Sequence, residues 1–296
     1  MDERFCDVGR GVTLCYETFG DPSDPPLLLV MGLGMQMVGW QADFCEELAG
    51  RGFHVVRFDN RDTGRSTHFP GSTPSVSQLL RRRFPRTQYK LTDMAEDAAG
   101  LLRELELAPA HVVGASMGGM IAQTLAARHP ESVRSLVSIM SNTGSRFSGQ
   151  PVLSLYRPLL TPAPSEREAF LAHVERLFTL IGSPGRADVE DLRTTAALSY
   201  DRGRDPAATA RQLAAILASG NRTRELRRIK APTLVIHGSA DRLVRPSGGQ
   251  ATARAIPGAR LLRIEGMGHD LPRAFWPQIM DAIAENARLA ERAVAA

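Results

Sequence analysis

The hexapeptide Gly114-Ala115-Ser116-Met117-Gly118-Gly119 constrains this chain more than any other stretch. It lies between the apolar run His111-Val112-Val113, which reads as a short buried strand, and an Ala-rich stretch from Met120 to His129 that stops at Pro130. Ile121, Thr124 and Leu125 in that second stretch have helical spacing. A serine between two glycines at a strand-to-helix junction fits the nucleophile elbow G-x-S-x-G. Such a turn is tight enough to strain the backbone of its central residue, and side chains on either side would collide. Gly114 and Gly118 remove those side chains, which pushes the Ser116 hydroxyl up into solvent or substrate. The helix that starts there adds its positive N-terminal end beneath any developing oxyanion. A Gly-rich helix start with a serine cap would look the same in isolation, so the surrounding chain has to decide.

Read in order, that chain alternates strands and helices. Residues 3–8 and 12–18, around Gly9 and Gly11, predict an opening antiparallel hairpin. Asp21 to Pro26 is a turn, and Leu27-Leu28-Leu29-Val30-Met31 reads as a strand buried on both faces, ending in Gly32-Leu33-Gly34. Trp40, Phe44 and Leu48 predict a one-striped helix closed by Gly50 and Gly52. Phe53 to Phe58 is the next strand, and it runs into Asp59-Asn60-Arg61-Asp62-Thr63-Gly64-Arg65-Ser66, a charge-dense segment expected to pin itself through mutual salt bridges. A loop over 67–91 precedes a helix starting near Asp93, whose Asp93-x-x-Glu96 has the character of a capping box. Val133–Met140 follows the elbow helix as another strand.

The rhythm then breaks. From about 145 to 228 the pattern holds helices and no strand. Ser165-x-x-Glu168 predicts the start of a helix carrying Phe170, Val174, Leu177 and Ile181, and Asp205-Pro206 opens another that ends at Gly220. The alternation resumes with a strand at Thr233–His237, a helix near Ser247–Ile256, a strand at Arg260–Ile264 and a terminal helix from about Phe275. The implied fold is α/β: a mostly parallel sheet with helices on both faces. Residues 1–144 and 229–296 form its core, and 145–228 form an inserted helical cap over the sheet edge where open α/β folds bind ligands.

With 296 residues, 43% of them hydrophobic, the chain can bury one large core. No run of 18 apolar residues occurs, so no membrane span is expected, and Met1-Asp2-Glu3-Arg4 lacks the features of a secretory signal. Cys6, Cys15 and Cys45 are odd in number and have no metal-ligand spacing, which reads as reduced thiols in a cytoplasmic protein. The net charge of +4 is carried almost wholly by arginine, Lys90 and Lys230 being the only lysines. That bias reflects a GC-rich genome better than nucleic-acid binding. The cluster Arg81-Arg82-Arg83-Phe84-Pro85-Arg86 is short and isolated, and it reads as a solvated loop.

A serine hydroxyl is a weak nucleophile at neutral pH and needs a base, itself oriented by an acid. Asp241 follows the strand at 233–237 by four residues, and His269 follows the strand at 260–264 by five. Both lie on strand-exit loops at the sheet edge that carries Ser116, in the order Ser, Asp, His. The exit after Met140, Ser141-Asn142-Thr143-Gly144, holds no rival carboxylate, and Asp270 is expected to point away from its neighbour His269. His54, His111 and His237 sit in strands as packed, satisfied residues, His129 ends a helix, and His68 and His173 are surface or cap residues. Two converging N–H groups would complete an oxyanion hole. The backbone of Met117 supplies one, and Leu33, flanked by Gly32 and Gly34, the other. Met31, Met35, Met37, Met117 and Met267 form either a soft apolar wall for a hydrophobic acyl group or ordinary core.

The elbow, the late Asp and His and the Asp59–Ser66 segment resemble the α/β-hydrolase fold over nearly the whole chain. Within it, Met31-Gly32, the Asp-Thr-Gly-Arg-Ser at 62–66 and the helical cap are similar to the aclacinomycin methylesterase type and related bacterial carboxylesterases. The resemblance implies a serine esterase acting on a small-molecule, apolar ester with no cofactor and no metal. Perhydrolysis, enol-lactone opening and C–C bond hydrolysis are run from a similar site by relatives, and a non-catalytic binding protein would keep the pocket alone. Dehalogenases and epoxide hydrolases place aspartate at the elbow, where this chain has Ser116. Many relatives carry His-Gly where this chain carries Met31-Gly32, which alters the loop around the second donor but not its backbone N–H. A homo-oligomer is compatible with this reading.

Overall fold

The opening hairpin forms where alternation predicts it: β1 (Arg4–Asp7) pairs antiparallel with β2 (Thr13–Phe19). The computed structural model describes residues 2–70, 74–85, 87–161, 163–186 and 188–295. Along the chain follow β3 (Pro26–Val30), α1 (Ala42–Ala49), β4 (His54–Phe58), α2 (Val76–Arg81), α3 (Leu91–Glu104), β5 (Ala110–Ala115), α4 (Met117–Arg128) and β6 (Val133–Ile139). Then come α5 (Tyr156–Leu160), α6 (Arg167–Ile181), α7 (Val189–Asp201), α8 (Pro206–Ser219) and α9 (Thr223–Leu226), with no strand among the described residues of that stretch. β7 (Thr233–Gly238), α10 (Ser247–Ala255), β8 (Arg260–Ile264) and α11 (Trp276–Ala295) complete the chain. No helix among the described residues is long and apolar enough to cross a membrane.

One eight-stranded sheet runs in the order β1-β2-β4-β3-β5-β6-β7-β8, parallel from β4 to β8 and antiparallel at the β1-β2-β4 end. The unbroken apolar run of β3 follows from burial on both faces, because side chains alternate across a sheet. Leu28 and Val30 pack with Ala98, Leu101 and Leu102 of α3 and with Ile121 and Leu125 of α4. Leu27 and Leu29 pack on the other side with Phe44 of α1 and with Trp276, Ile279 and Ile283 of α11. Since the central strands are parallel, their C-terminal ends share one edge, and the loops after β3, β5, β7 and β8 emerge together.

Several local boundaries differ from the sequence reading. Trp40 precedes α1, after a short 3-10 turn at Met37–Gly39, and stacks on Phe44 at 5.4 Å between ring centres. Asp93 is not the cap of α3 but its third residue, and its carboxylate accepts the N–H of the true cap, Lys90, at 2.8 Å. Ser165 likewise yields to Glu166, whose carboxylate accepts the N–H groups of Glu168 and Ala169. The stretch over 67–91, expected as a loop, holds α2, opened by a capping box between Ser75 and Gln78. Arg81 ends that helix rather than lying in a loop, and Arg86 falls outside the described residues. The three cysteines are buried free thiols, and burial pushes Cys15 and Cys45 up to about 12.

The charge-dense segment after β4 forms no salt bridge within itself, although Asp59 Oδ2 accepts the Arg65 N–H at 3.0 Å. Asp59 accepts Arg202 at 2.7 Å, Asp62 accepts Arg211 twice at 2.8 Å, and Arg61 donates to Asp97 of α3 at 2.5 and 2.6 Å. Two of these guanidinium groups come from the stretch of helices, so the pairs fasten that stretch to the sheet. Burial works against the Arg202 charge, but hydrogen bonds and charge from Asp59 and Glu3 outweigh it and push its pKa up. Removing one partner of such a pair leaves the other charge buried, which is costlier than never having built the pair. Arg202→Met is therefore expected to lower unfolding free energy by about 3–5 kcal/mol, whereas Arg103→Met at an exposed pair changes it by less than about 1 kcal/mol. Urea denaturation of both variants measures this, and a loss below about 1 kcal/mol for Arg202→Met would contradict the fastening role.

Candidate active site

Ser116 leaves β5 with φ 55° and ψ −118°, a left-handed backbone that costs a non-glycine residue on the order of 1–3 kcal/mol. The surroundings impose it. A side chain at Gly114 would run into the Gly118 carbonyl, and one at Gly118 would run into the Val30 carbonyl, so β5, α4 and β3 meet backbone to backbone. The Ser116 N–H is tied to the Ile139 carbonyl at 2.9 Å. Arg222, which sequence gave no reason to single out, braces α4 from behind. It donates to the Met120 carbonyl, the Gln123 side chain and the Asn142 carbonyl, all neutral acceptors, and burial draws its pKa down to about 10.

The loops after β7 and β8 bring Asp241 and His269 to this serine. His269 Nδ1 lies 2.8 Å from Asp241 Oδ2, and His269 Nε2 lies 3.0 Å from Ser116 Oγ. A carboxylate can only accept, so Nδ1 carries the proton and Nε2 is left as acceptor for the serine hydroxyl. Asp241 is itself held by the N–H groups of Leu243 and Val244, at 2.9 and 2.8 Å through Oδ1. Its burial raises its pKa, but the charge of His269 and hydrogen bonds from His237 and His269 outweigh that and hold it at about 2. Asp241 is thus a carboxylate throughout the neutral range. His237 does more than pack: its Nε2 meets the Val244 carbonyl at 2.7 Å and comes within 3.4 Å of Asp241. Contrary to the expectation of full satisfaction, His237 and His54 each leave a buried Nδ1 without a partner among the described residues.

Asp270 turns away from its neighbour to a different task. Its oxygens accept the Ser183 N–H at 2.9 Å and the Ser183 hydroxyl at 2.5 Å. Ser183 Oγ in turn accepts the Gly268 N–H at 2.8 Å, and the His269 N–H donates to the Ile181 carbonyl at 2.8 Å. The loop carrying His269 is therefore gripped on both sides by the end of α6. Sequence offered no pointer to Ser183, because nothing in its neighbourhood has a characteristic spacing.

Leu33 lies in the loop after β3, which runs close over the elbow: a Cβ added at Gly32 would sit 3.2 Å from Ser116 Cβ. Among the described residues, neither the Leu33 N–H nor the Met117 N–H donates to a protein acceptor. Burial favours the core reading of the methionines. Met31, Met37, Met117 and Met267 are buried core residues, and only Met35 of the five is half-buried. Phe170 packs against Tyr200 and under the Arg204 guanidinium within the helical stretch. One group, Asp62, His68 and Asp205, brings three ligand atoms within 4.8 Å of one another, but Arg211 already lies between the two carboxylates at 2.6 to 2.8 Å.

A family model described as alpha/beta hydrolase fold matches residues 25–272. Rhodomycin D methylesterase DnrP of Streptomyces peucetius is 32% identical over 301 aligned positions, spanning 94% of this chain and 96% of its own length. Among solved structures, the enol-lactonase from Burkholderia xenovorans LB400 superposes with a TM-score of 0.70 at 22% identity, covering 98% of this chain and 100% of that one. The 2-hydroxy-6-oxo-6-phenylhexa-2,4-dienoate hydrolase from Rhodococcus sp. strain RHA1 does so with 0.75 at 21% identity, covering 97% and 98%. At these identities the two structures speak for the fold alone.

The grip on the His269 loop makes a prediction that needs no substrate. Ser183→Ala strips the Gly268 N–H of its acceptor, a loss of about 1–3 kcal/mol for a buried donor. Hydrogen exchange should show the amides of Gly268 and His269 losing at least about tenfold in protection while those of β5 keep theirs. Unchanged protection at both amides would show that the loop holds itself.

Proposed function

The chain belongs to the α/β-hydrolase fold family, and from that membership we propose that it is a cofactor-independent serine hydrolase of carboxylic esters. Ser116 Oγ attacks the ester carbonyl while His269 Nε2 takes its proton, and Asp241 stabilises the imidazolium through Nδ1. The carbonyl oxygen becomes an oxyanion received by the N–H groups of Leu33 and Met117, each such donor being worth roughly 10²- to 10³-fold in rate. Collapse of the intermediate expels the alcohol, protonated by His269, and leaves an acyl-Ser116. Water, deprotonated by the same imidazole, then attacks the acyl carbon, and the acid leaves as Ser116 recovers its proton.

One observation carries this reading: the unbroken line of hydrogen bonds from Asp241 through His269 to a strained, half-buried Ser116. A serine kept only for structure has no need of a base at 3.0 Å whose other nitrogen is locked by a buried carboxylate. Identity to a methylesterase over almost the full length of both chains directs the substrate expectation to methyl esters of carboxylic acids. Residues 145–228 act in this reading as a cap that shapes the substrate space above the core formed by 1–144 and 229–296. They contribute no reacting group: Glu175 is paired with Arg193, and Asp191 with Arg273.

Hydrolysis of methyl and p-nitrophenyl esters by three variants tests the assignment. Ser116→Ala should lose about 10⁴- to 10⁶-fold in kcat, and Asp241→Asn about 10⁴-fold through the wrong histidine tautomer. Asp270→Asn should fall far less, within about 30-fold, because it disturbs only the grip on the loop. Activity of Ser116→Ala within tenfold of the parent, or a reversal of the two aspartate variants, would overturn the assignment.

A further inference from the structure

The loop that carries Leu33 is not free-standing. The next residue, Gly34, has φ +67° and donates its N–H to Oε1 of Gln212, at 2.9 Å, from the middle of α8. Gln212 is fully buried. Its amide is fixed by two further bonds, from Nε2 to the Arg61 carbonyl at 2.8 Å and to Thr63 Oγ1 at 2.6 Å. With both donors of Nε2 engaged by acceptors, the amide cannot flip, and Oε1 has to face Gly34. Thr209, one turn earlier on α8, closes the other side: a Cβ at Gly34 would lie 2.8 Å from its hydroxyl. So the peptide between Leu33 and Gly34 is held on two sides by a helix of the inserted stretch, and the Leu33 N–H one peptide earlier inherits that orientation.

We propose that Gln212 is a positioning residue for the oxyanion hole: by accepting the Gly34 N–H it aims the Leu33 N–H at the oxygen bound above Ser116. This rests on the esterase reading and deepens it, since it makes the helical stretch part of what stabilises the transition state. The chemistry is electrostatic. A donor helps only if it already points at the developing charge, because turning toward it during the reaction would consume the stabilisation. A glycine with left-handed φ and no partner could swing its neighbouring peptide, and Gln212 removes that freedom.

The test uses the full chain with Gln212→Met, which keeps the length of the side chain and deletes its acceptor. Thr63→Val loosens the amide without touching Gly34. Ser219→Ala is the control: Ser219 sits at the far end of α8 and accepts the Leu91 N–H at 2.9 Å, so it loosens the same helix away from the loop. For each, kcat and KM on a p-nitrophenyl ester are measured alongside Ki for an alkyl trifluoromethyl ketone, whose adduct with Ser116 places an oxyanion in the hole. Gln212→Met should lower kcat by about 10- to 100-fold with KM within about threefold, and the ketone Ki should rise in step with the loss in kcat/KM. Thr63→Val should follow the same line more weakly, and Ser219→Ala should stay within about twofold. The proposal is overturned if Gln212→Met keeps kcat within about twofold, or if its kcat falls while the ketone Ki does not move. Should Gln212→Met fail to fold, Thr63→Val decides: a lowered kcat with an unchanged ketone Ki contradicts the proposal. If the parent protein itself neither hydrolyses esters nor binds the ketone, the esterase reading fails instead.

Discussion

The contact of Gly118 with the Val30 carbonyl fixes where everything else must lie. It exists only because no side chain intervenes, and it brings the helix after β5 onto the end of β3 with backbone touching backbone. Ser116 is forced into a left-handed conformation by that approach, and the loops after β3 and β5 are thereby made neighbours. Strands β7 and β8 continue the same parallel sheet, so their exit loops can reach the serine from the other side. The strain of about 1–3 kcal/mol at Ser116 is small beside the two core layers that enforce it.

The second dependence is on buried arginine. Arg202 and Arg211 reach from the helical stretch to Asp59 and Asp62 at the end of β4, and Arg222 reaches from it to the back of α4. The first two guanidinium groups have carboxylate partners and the third only neutral ones, which is why burial pulls Arg222 down to about 10 while Arg202 is pushed up. A hydrophobic seam would have held the helices with looser geometry. Bidentate and fork-shaped contacts fix orientation as well as proximity. That matters here because the same stretch grips the His269 loop through Ser183 and the Leu33 loop through Gln212.

Periodicity carried most of the fold into the sequence. The β8 bounds, the opening hairpin, the helix from Asp205-Pro206 to Gly220 and the lack of strands among the described residues before β7 could all be read, since each rests on alternation, a cap or a breaker within a few residues. Local errors came from competition between nearby caps: Glu166 displaces Ser165, and Asp93 caps backward onto Lys90. The signal for α2, Ser75-x-x-Gln78, was present but lay in a stretch otherwise typical of loops. The three residues that form the central relay could be named because their order and strand-exit placement are fixed by the fold. Gln212, Ser183 and Arg202 could not, since their partners lie 178, 85 and 143 residues away and no spacing rule spans such gaps. The salt bridges expected inside the Asp59–Ser66 segment went instead to those distant partners.

The central claim is that Ser116 is a nucleophile activated by His269 and Asp241. Its most direct measurement is reaction of the native protein with a fluorophosphonate at neutral pH, followed by mass analysis of the digested adduct. The phosphonyl group mimics the tetrahedral intermediate and needs both an activated hydroxyl and donors for its oxygen. One adduct per chain, on the peptide holding Ser116 and absent from Asp241→Asn, is the predicted result. A folded protein that takes up no label, or takes it up at another residue, would contradict the account.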